Sequence, residues 1–152
     1  MPEKKNNQKF NHLKIHTQYS ICEGAIKIEN LKNYCKEKEI LSLGLSDTSN
    51  LCGALEFAEN ISKVGTQPII GTQIYFKFED TTGLLPLIAL NEKGYKRIIE
   101  LSSKSYLEND TTSDPHLDIK ELLDDTEGVV LLSGTIHGLF GKLFEKGRFD
   151  EI

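Results

Sequence analysis

Apolar and polar positions alternate between two periods along this chain, and the switches between them predict its elements. Phe10 to Ile15 reads as a first strand, on which residues two apart share a face. His12, Lys14 and His16 are therefore expected together on one face, with Leu13 and Ile15 on the other. A polar loop, Thr17 to Ala25, follows. Ile28, Leu31, Tyr34 and Cys35 then recur at helical spacing through a charged run ending at Lys38, which predicts an amphipathic helix. Leu41 to Leu45 reads as a second, buried strand ended by Ser46-Asp47-Thr48-Ser49-Asn50. The next helix carries Leu51, Ala54, Leu55, Ala58 and Ile61, with Asn50 as its N-cap and Gly65 as its stop.

The second half repeats the alternation with one difference. Pro68 to Phe78 is the third strand region, Gly71 marks a kink or close approach, and Glu79 to Gly83 turns the chain into a strand Leu84 to Leu90. This part reads as an antiparallel hairpin. Asn91 caps a helix through Tyr95, Ile98, Ile99 and Leu101 towards Tyr106, and Glu108 to His116 is a surface loop. Asp118 with Glu121 begins a short helix through Leu122 and Leu123. Val129 to Leu132 is another buried strand, Ser133 to Gly138 is its C-terminal loop, and Phe149 to Ile152 reads as the first turn of a further helix. Strands alternating with helices predict an α/β fold of parallel units with too few strands to close a barrel.

Composition narrows the class. At 152 residues, 38% hydrophobic and 27% charged, the chain is sized and composed like one globular domain. A formal net charge of -5 argues against a surface that grips nucleic acid unaided. Residues 1–9 are polar, read as a disordered tail, and lead into no signal-peptide core. The longest apolar stretch, Leu84 to Leu90, contains Pro86 and is too short for a bilayer needing about 20 residues. A cytoplasmic protein without a membrane partner is expected. Cys22, Cys35 and Cys52 are odd in number and lack Cys-x-x-Cys spacing, so reduced thiols are expected rather than disulfides or a zinc knuckle. Phosphate-cradling glycine loops and a Gly-x-Ser-x-Gly elbow are absent from the sequence. Cys52, at a helix start, has no partnered histidine in the pattern.

The stretch His12-Leu13-Lys14-Ile15-His16-Thr17-Gln18-Tyr19-Ser20 resembles the opening of the polymerase and histidinol phosphatase (PHP) family. The form it is most similar to stands at the N-terminus of the bacterial DNA polymerase III alpha subunit, the family C replicative polymerases. That form reads His-Leu-His-Val-His-Ser followed by a Tyr-Ser pair. The resemblance runs from Phe10 nearly to the end. It implies an irregular (β/α)7 barrel of which residues 10–152 are about the first half, and hence a segment of a longer polymerase or a truncated gene product.

Matched residue by residue, the resemblance also implies a damaged metal site. Lys14 stands at the place of a ligand histidine, while His16 keeps its own. The family's Asp-His-Gly-Asn loop reads Asp47-Thr48-Ser49-Asn50, its Gly-Cys-Glu segment reads Gly71-Thr72-Gln73, and its Ser-Gly-Cys loop reads Ser133-Gly134-Thr135. A histidine expected near Leu84 is missing. Of the visible ligand positions only His16 and Asp47 remain, and hydroxyls and amides hold divalent transition metals too weakly to replace the rest. The vestigial positions are thus His12, Lys14, His16, Asp47, Thr48, Gln73 and Thr135, with no metal or other cofactor and no catalytic residue expected. His12 is read as a hydrogen-bonded interior histidine and His137 as an exposed one. Lys14 is expected to form an internal ion pair with Asp47 or another carboxylate, in preference to a weak single-metal site. Asp47, before a helix, also suits a role as acceptor of backbone N–H bonds. Partners implied are the rest of the polymerase subunit and a proofreading exonuclease subunit, with DNA met only through the full polymerase. A freestanding metal-dependent phosphoesterase is the alternative.

Overall fold

The computed structural model describes residues 10–110 and 112–152. The expectation of a disordered tail at residues 1–9 lies outside them. The helices are α1 (Ile28–Lys38), α2 (Ala54–Ser62), α3 (Glu92–Leu107), α4 (Ile119–Leu123) and α5 (Leu139–Glu145). The strands are β1 (Ser42–Thr48), β2 (Gln67–Phe78), β3 (Thr81–Ala89), β4 (Leu117–Asp118) and β5 (Val129–Leu131), and a 3-10 turn spans Phe149–Glu151. The strands form one mixed sheet ordered β1-β2-β3-β5, with β4 beside β2. β1 runs parallel to β2, while β3 is antiparallel to both β2 and β5. The long hairpin therefore interrupts the parallel alternation, as its Glu79-Asp80 turn requires.

Register separates the two faces of the sheet. Leu43, Leu45 and Asp47 pair with Pro68, Ile70 and Thr72, so these six share one face. Leu43 and Leu45 pack there against Ile28, Leu31 and Cys35 of α1 and Ala54, Phe57 and Ile61 of α2. Further along, Ile74, Phe76, Leu85 and Leu87 meet Ile98 and Leu101 of α3 and Leu139 and Leu143 of α5. The opposite, inner face carries Gly44, Ser46 and Thr48 beside Ile69, Gly71 and Gln73. Across β3 it continues through Ile88, Pro86 and Leu84. Gly71 is glycine because a Cβ there would lie 2.4 Å from the Leu87 carbonyl oxygen, a close approach that a side chain would block.

The expected first strand, Phe10 to Ile15, is not a regular strand. Its segment lies along β1, joined by a bridge between Ile15 and Leu45. The Gly44 N–H donates to the His12 carbonyl at 2.7 Å and the Ser46 N–H to that of Ile15 at 2.8 Å. A two-residue step on β1 thus faces a three-residue step on the segment, which is a bulge. One extra residue reverses the alternation on either side of it. Ile15 packs with the helices as expected, but His12 is exposed and lines a groove with Ile15, Leu31 and Leu43, on the helix side rather than beside His16. His12 is accordingly not an interior histidine. Gly44 makes room for the bulge, since a Cβ there would stand 2.6 to 2.8 Å from the Leu13 backbone.

Other helix ends follow local chemistry. The Asn91 side chain accepts from the Gly94 N–H at 3.0 Å and caps α3, and Asp118 accepts from Lys120 N–H at 2.9 Å to cap α4. Glu121 does not close the capping box; its carboxylate takes Lys104 at 3.0 Å instead. The α2 N-cap is Gly53 rather than Asn50, whose side chain is used one turn earlier, accepting from Cys52 N–H at 3.0 Å. Gly65, with φ of +80°, stops the chain after α2 as expected.

Candidate functional site

The C-terminal ends of β1 and β2 and the loop Thr17–Ala25 meet in a cluster of polar side chains. Asp47 is fully buried and on the helix-facing side of β1. One carboxylate oxygen accepts from Thr17 N–H at 2.6 Å and from Ser20 Oγ at 2.6 Å; the other accepts from Thr17 Oγ1 at 2.7 Å. Its role as acceptor of backbone N–H holds, but the donor is the loop rather than α2. The expected ion pair with Lys14 is absent: Asp47 is occupied by hydroxyls and an amide, and Lys14 is exposed with no ion pair among the described residues.

Thr48, one residue on, points to the inner face, where Gln73 Nε2 donates to Thr48 Oγ1 at 2.7 Å. Thr48 Oγ1 in turn donates to Glu23 Oε2, and the Thr48 N–H donates to Ser20 Oγ at 3.1 Å. His16 Nδ1 stands 3.8 Å from Glu23 Oε2 and 3.4 Å from Ser20 Oγ. Burial, reinforced by the Lys14 ammonium, holds the His16 imidazole below its ordinary pKa, against the opposing pull of Glu23 and Asp47. Tyr75, further along the inner face, has its phenol pushed up by burial and by the Glu23 and Asp114 carboxylates. Gln73 Oε1 and Ser46 Oγ are buried without a hydrogen-bond partner among the described residues.

The structure brings His16, Asp47, Thr48 and Gln73 into one neighbourhood. His12 is held apart from it by the bulge, and Lys14, though its charge acts on His16, is exposed and makes no hydrogen bond to the cluster among the described residues. Thr135 is exposed in the loop after β5, where its Oγ1 accepts from the His137 N–H at 3.3 Å, and no hydrogen bond ties it to the cluster. Thr17 and Ser20 lie in the stretch that carries the family resemblance, though no bond to Asp47 was expected of them, whereas Glu23 was not singled out by sequence; its only signal there is a polar residue three positions after Ser20 in one short loop.

This donor set does not fit a multi-metal cluster. Three hydrogen bonds hold Asp47, Thr48 and Gln73 are neutral, the remaining donors of ligand type, His16 and Glu23, are too few for a cluster, and the Lys14 charge acts on His16. Among the described residues no group of three or more His, Cys, Asp and Glu side chains is placed to hold a metal ion. No helix among them is long and apolar enough to cross a membrane.

Residues 12–152 match the family described as PHP domain. The chain is 34% identical over 154 residues to the DNA polymerase III subunit alpha of Borreliella burgdorferi, covering 94% of this chain and 13% of that protein. It is 34% identical over 157 residues to the Caulobacter vibrioides subunit, covering 95% and 13%. The chain thus spans about an eighth of the length of these curated relatives. Among solved structures, a metal-dependent phosphoesterase from Bifidobacterium adolescentis superposes with a TM-score of 0.50 at 17% identity, over 62% of this chain and 32% of that one. An amidohydrolase from Chromobacterium violaceum gives a TM-score of 0.52 at 15% identity, over the same shares of 62% and 32%. At such identities the structural likeness speaks for the fold alone.

Proposed function

The chain belongs to the PHP domain family, and from that membership we propose that it is the PHP segment of a replicative DNA polymerase alpha subunit, with a structural rather than a hydrolytic role. Polymerase membership is supported by the similarity to DNA polymerase III alpha subunits along almost the whole chain. The structural role rests on one observation. Gln73 and Thr48, at two positions where the family resemblance puts metal ligands, are instead tied by hydrogen bonds to each other and on to Glu23, and Asp47 is consumed by Thr17 and Ser20. A phosphoesterase needs cations there to polarise the phosphoryl group and to ionise a water; an amide, a hydroxyl and a carboxylate bonded to one another do neither. In this reading the segment packs on the remaining polymerase and offers a surface to a proofreading exonuclease subunit, and DNA is met through the whole subunit.

The test pairs an activity with an interaction. The chain is incubated with a chromogenic phosphate monoester and with single-stranded DNA in the presence of manganese or zinc, and is separately mixed with the exonuclease subunit on a sizing column. No release of phosphate or nucleotide above a blank, with comigration of the two proteins, is expected. Metal-dependent turnover by the unmodified chain would instead make it a freestanding phosphoesterase.

A further inference from the structure

A polar pocket of about 350 Å³ lies where three separate parts of the chain meet: Tyr75 of β2 with Thr82 of β3, the loop before β4 through Asp114 and His116, and Lys142 of α5. Its walls are held in place. Lys142 Nζ donates to the Thr82 carbonyl at 2.7 Å, which fixes a long side chain against the hairpin. The loop is tied down by Asn109, whose Nδ2 donates to the Ser105 and His116 carbonyls at 2.8 and 2.6 Å, and by Leu117, which pairs with Phe76. His116 Nδ1 stands 2.8 Å from the Asp114 carbonyl. A carbonyl only accepts, so Nδ1 carries the proton of the neutral imidazole and Nε2 is left as an acceptor.

The polar groups on these walls are unspent. Among the described residues Lys142 has no carboxylate partner and keeps two N–H donors, Asp114 has no cation partner, and the Tyr75 hydroxyl and His116 Nε2 make no hydrogen bond. An ammonium and a carboxylate that line one pocket without pairing are set for a ligand with the opposite charge at each end. We propose that this pocket binds a small α-amino acid as its zwitterion. The ligand carboxylate accepts from Lys142 Nζ and the Tyr75 hydroxyl, and the ligand ammonium donates to the Asp114 carboxylate and His116 Nε2. Burial, with the Glu23 and Asp114 carboxylates nearby, pushes the Tyr75 phenol up, so it stays a donor through the neutral range. The same two carboxylates set the sign of the local field. They oppose a ligand of net negative charge such as a phosphate ester, whereas a ligand of zero net charge escapes that penalty. None of these contacts depends on whether the cluster around Asp47 holds metal.

Heteronuclear NMR of the whole chain tests this with glycine as the probe, and with acetate and methylammonium to offer the two charges separately. Glycine should shift the ring resonances of His116 and Tyr75 and the amides of Ser113 and His116 in a saturable way, with a dissociation constant of about 1 mM or tighter. Acetate and methylammonium, each carrying half of the charge pattern, should bind about tenfold more weakly or worse. Lys142→Gln and Asp114→Asn should each weaken glycine by about tenfold or more, the order expected when a charge-assisted hydrogen bond is lost. Asp114 is an exposed loop residue, so Asp114→Asn keeps the fold and the test stands even where Lys142→Gln loosens α5. No saturable glycine shift at about ten times that concentration would overturn the proposal. Acetate binding as tightly as glycine, with Asp114→Asn indifferent, would overturn it too, because the pocket would then be an anion site only.

Discussion

Asp47 illustrates how a residue can keep its identity and change its employment. It is fully buried, and its charge is balanced by three short donors rather than by a cation. Removing it strands the Thr17 amide and two hydroxyls in the interior, so Asp47→Ala should cost about 3 kcal/mol of stability, read by urea denaturation. Lys14→His alone should bring no metal, as titration calorimetry with zinc would show, because Thr48, Gln73 and Thr135 leave the donors short and Asp47 is engaged. Part of this was legible in the sequence. The alternation that sends Thr48 inward sends Asp47 to the helix side, and that geometry disagrees with counting Asp47 as a free ligand position. Glu23 was not legible: nothing in the spacing of a polar loop says which of its side chains folds back onto a strand twenty-five residues away.

Among the elements, helices α1 and α3 and the β2–β3 hairpin could be read from periodicity and caps, since each is set by residues adjacent in sequence. The bulge before β1 could not. His12-Leu13-Lys14 contains no glycine or proline, and the glycine that admits the bulge, Gly44, sits on the neighbouring strand. Gly44→Ala should therefore push the segment off β1, lowering stability by about 1 to 3 kcal/mol in a denaturation series and exposing the Gly44 and Ser46 amides to exchange. The hairpin turn has its own anchor. Lys146 Nζ bonds Asp80 at 3.0 Å, and Arg148 reaches Glu79 at 2.5 Å and Asp80 at 2.8 Å. The Lys146 hydrogen bond, first among several causes, holds the Asp80 carboxyl below its ordinary pKa. A depressed carboxylate stabilises the fold above its unfolded pKa and loses that contribution as pH falls through the folded value. Acidification below about pH 4 should thus loosen the turn from α5, and Asp80→Asn should flatten that part of the melting temperature against pH curve.

Taken as one body, the chain leaves apolar surface open around the start of β2 and the end of β3. Ile69, Ile88 and Val130 of the strands, Leu13 of the leading segment, Leu55 of α2 and Leu90 line an open groove of about 730 Å³, and Leu55 and Leu90 are 72% and 66% exposed. Apolar surface of this kind favours association, so static light scattering of the purified chain should give an apparent mass that rises with concentration; a cooperative, strictly monomeric fold at high concentration would mean the groove is satisfied within the chain. The fold class was visible in the alternation of elements, whereas the antiparallel place of β3 followed only from its tight turn. Elemental analysis decides whether the relay of Gln73, Thr48 and Glu23 stands where a metal cluster would otherwise be. The chain is equilibrated with zinc, manganese and iron, desalted and measured. Far less than one metal ion per chain is expected for each, whereas one or more tightly held ions per chain would mean that the site still binds metal.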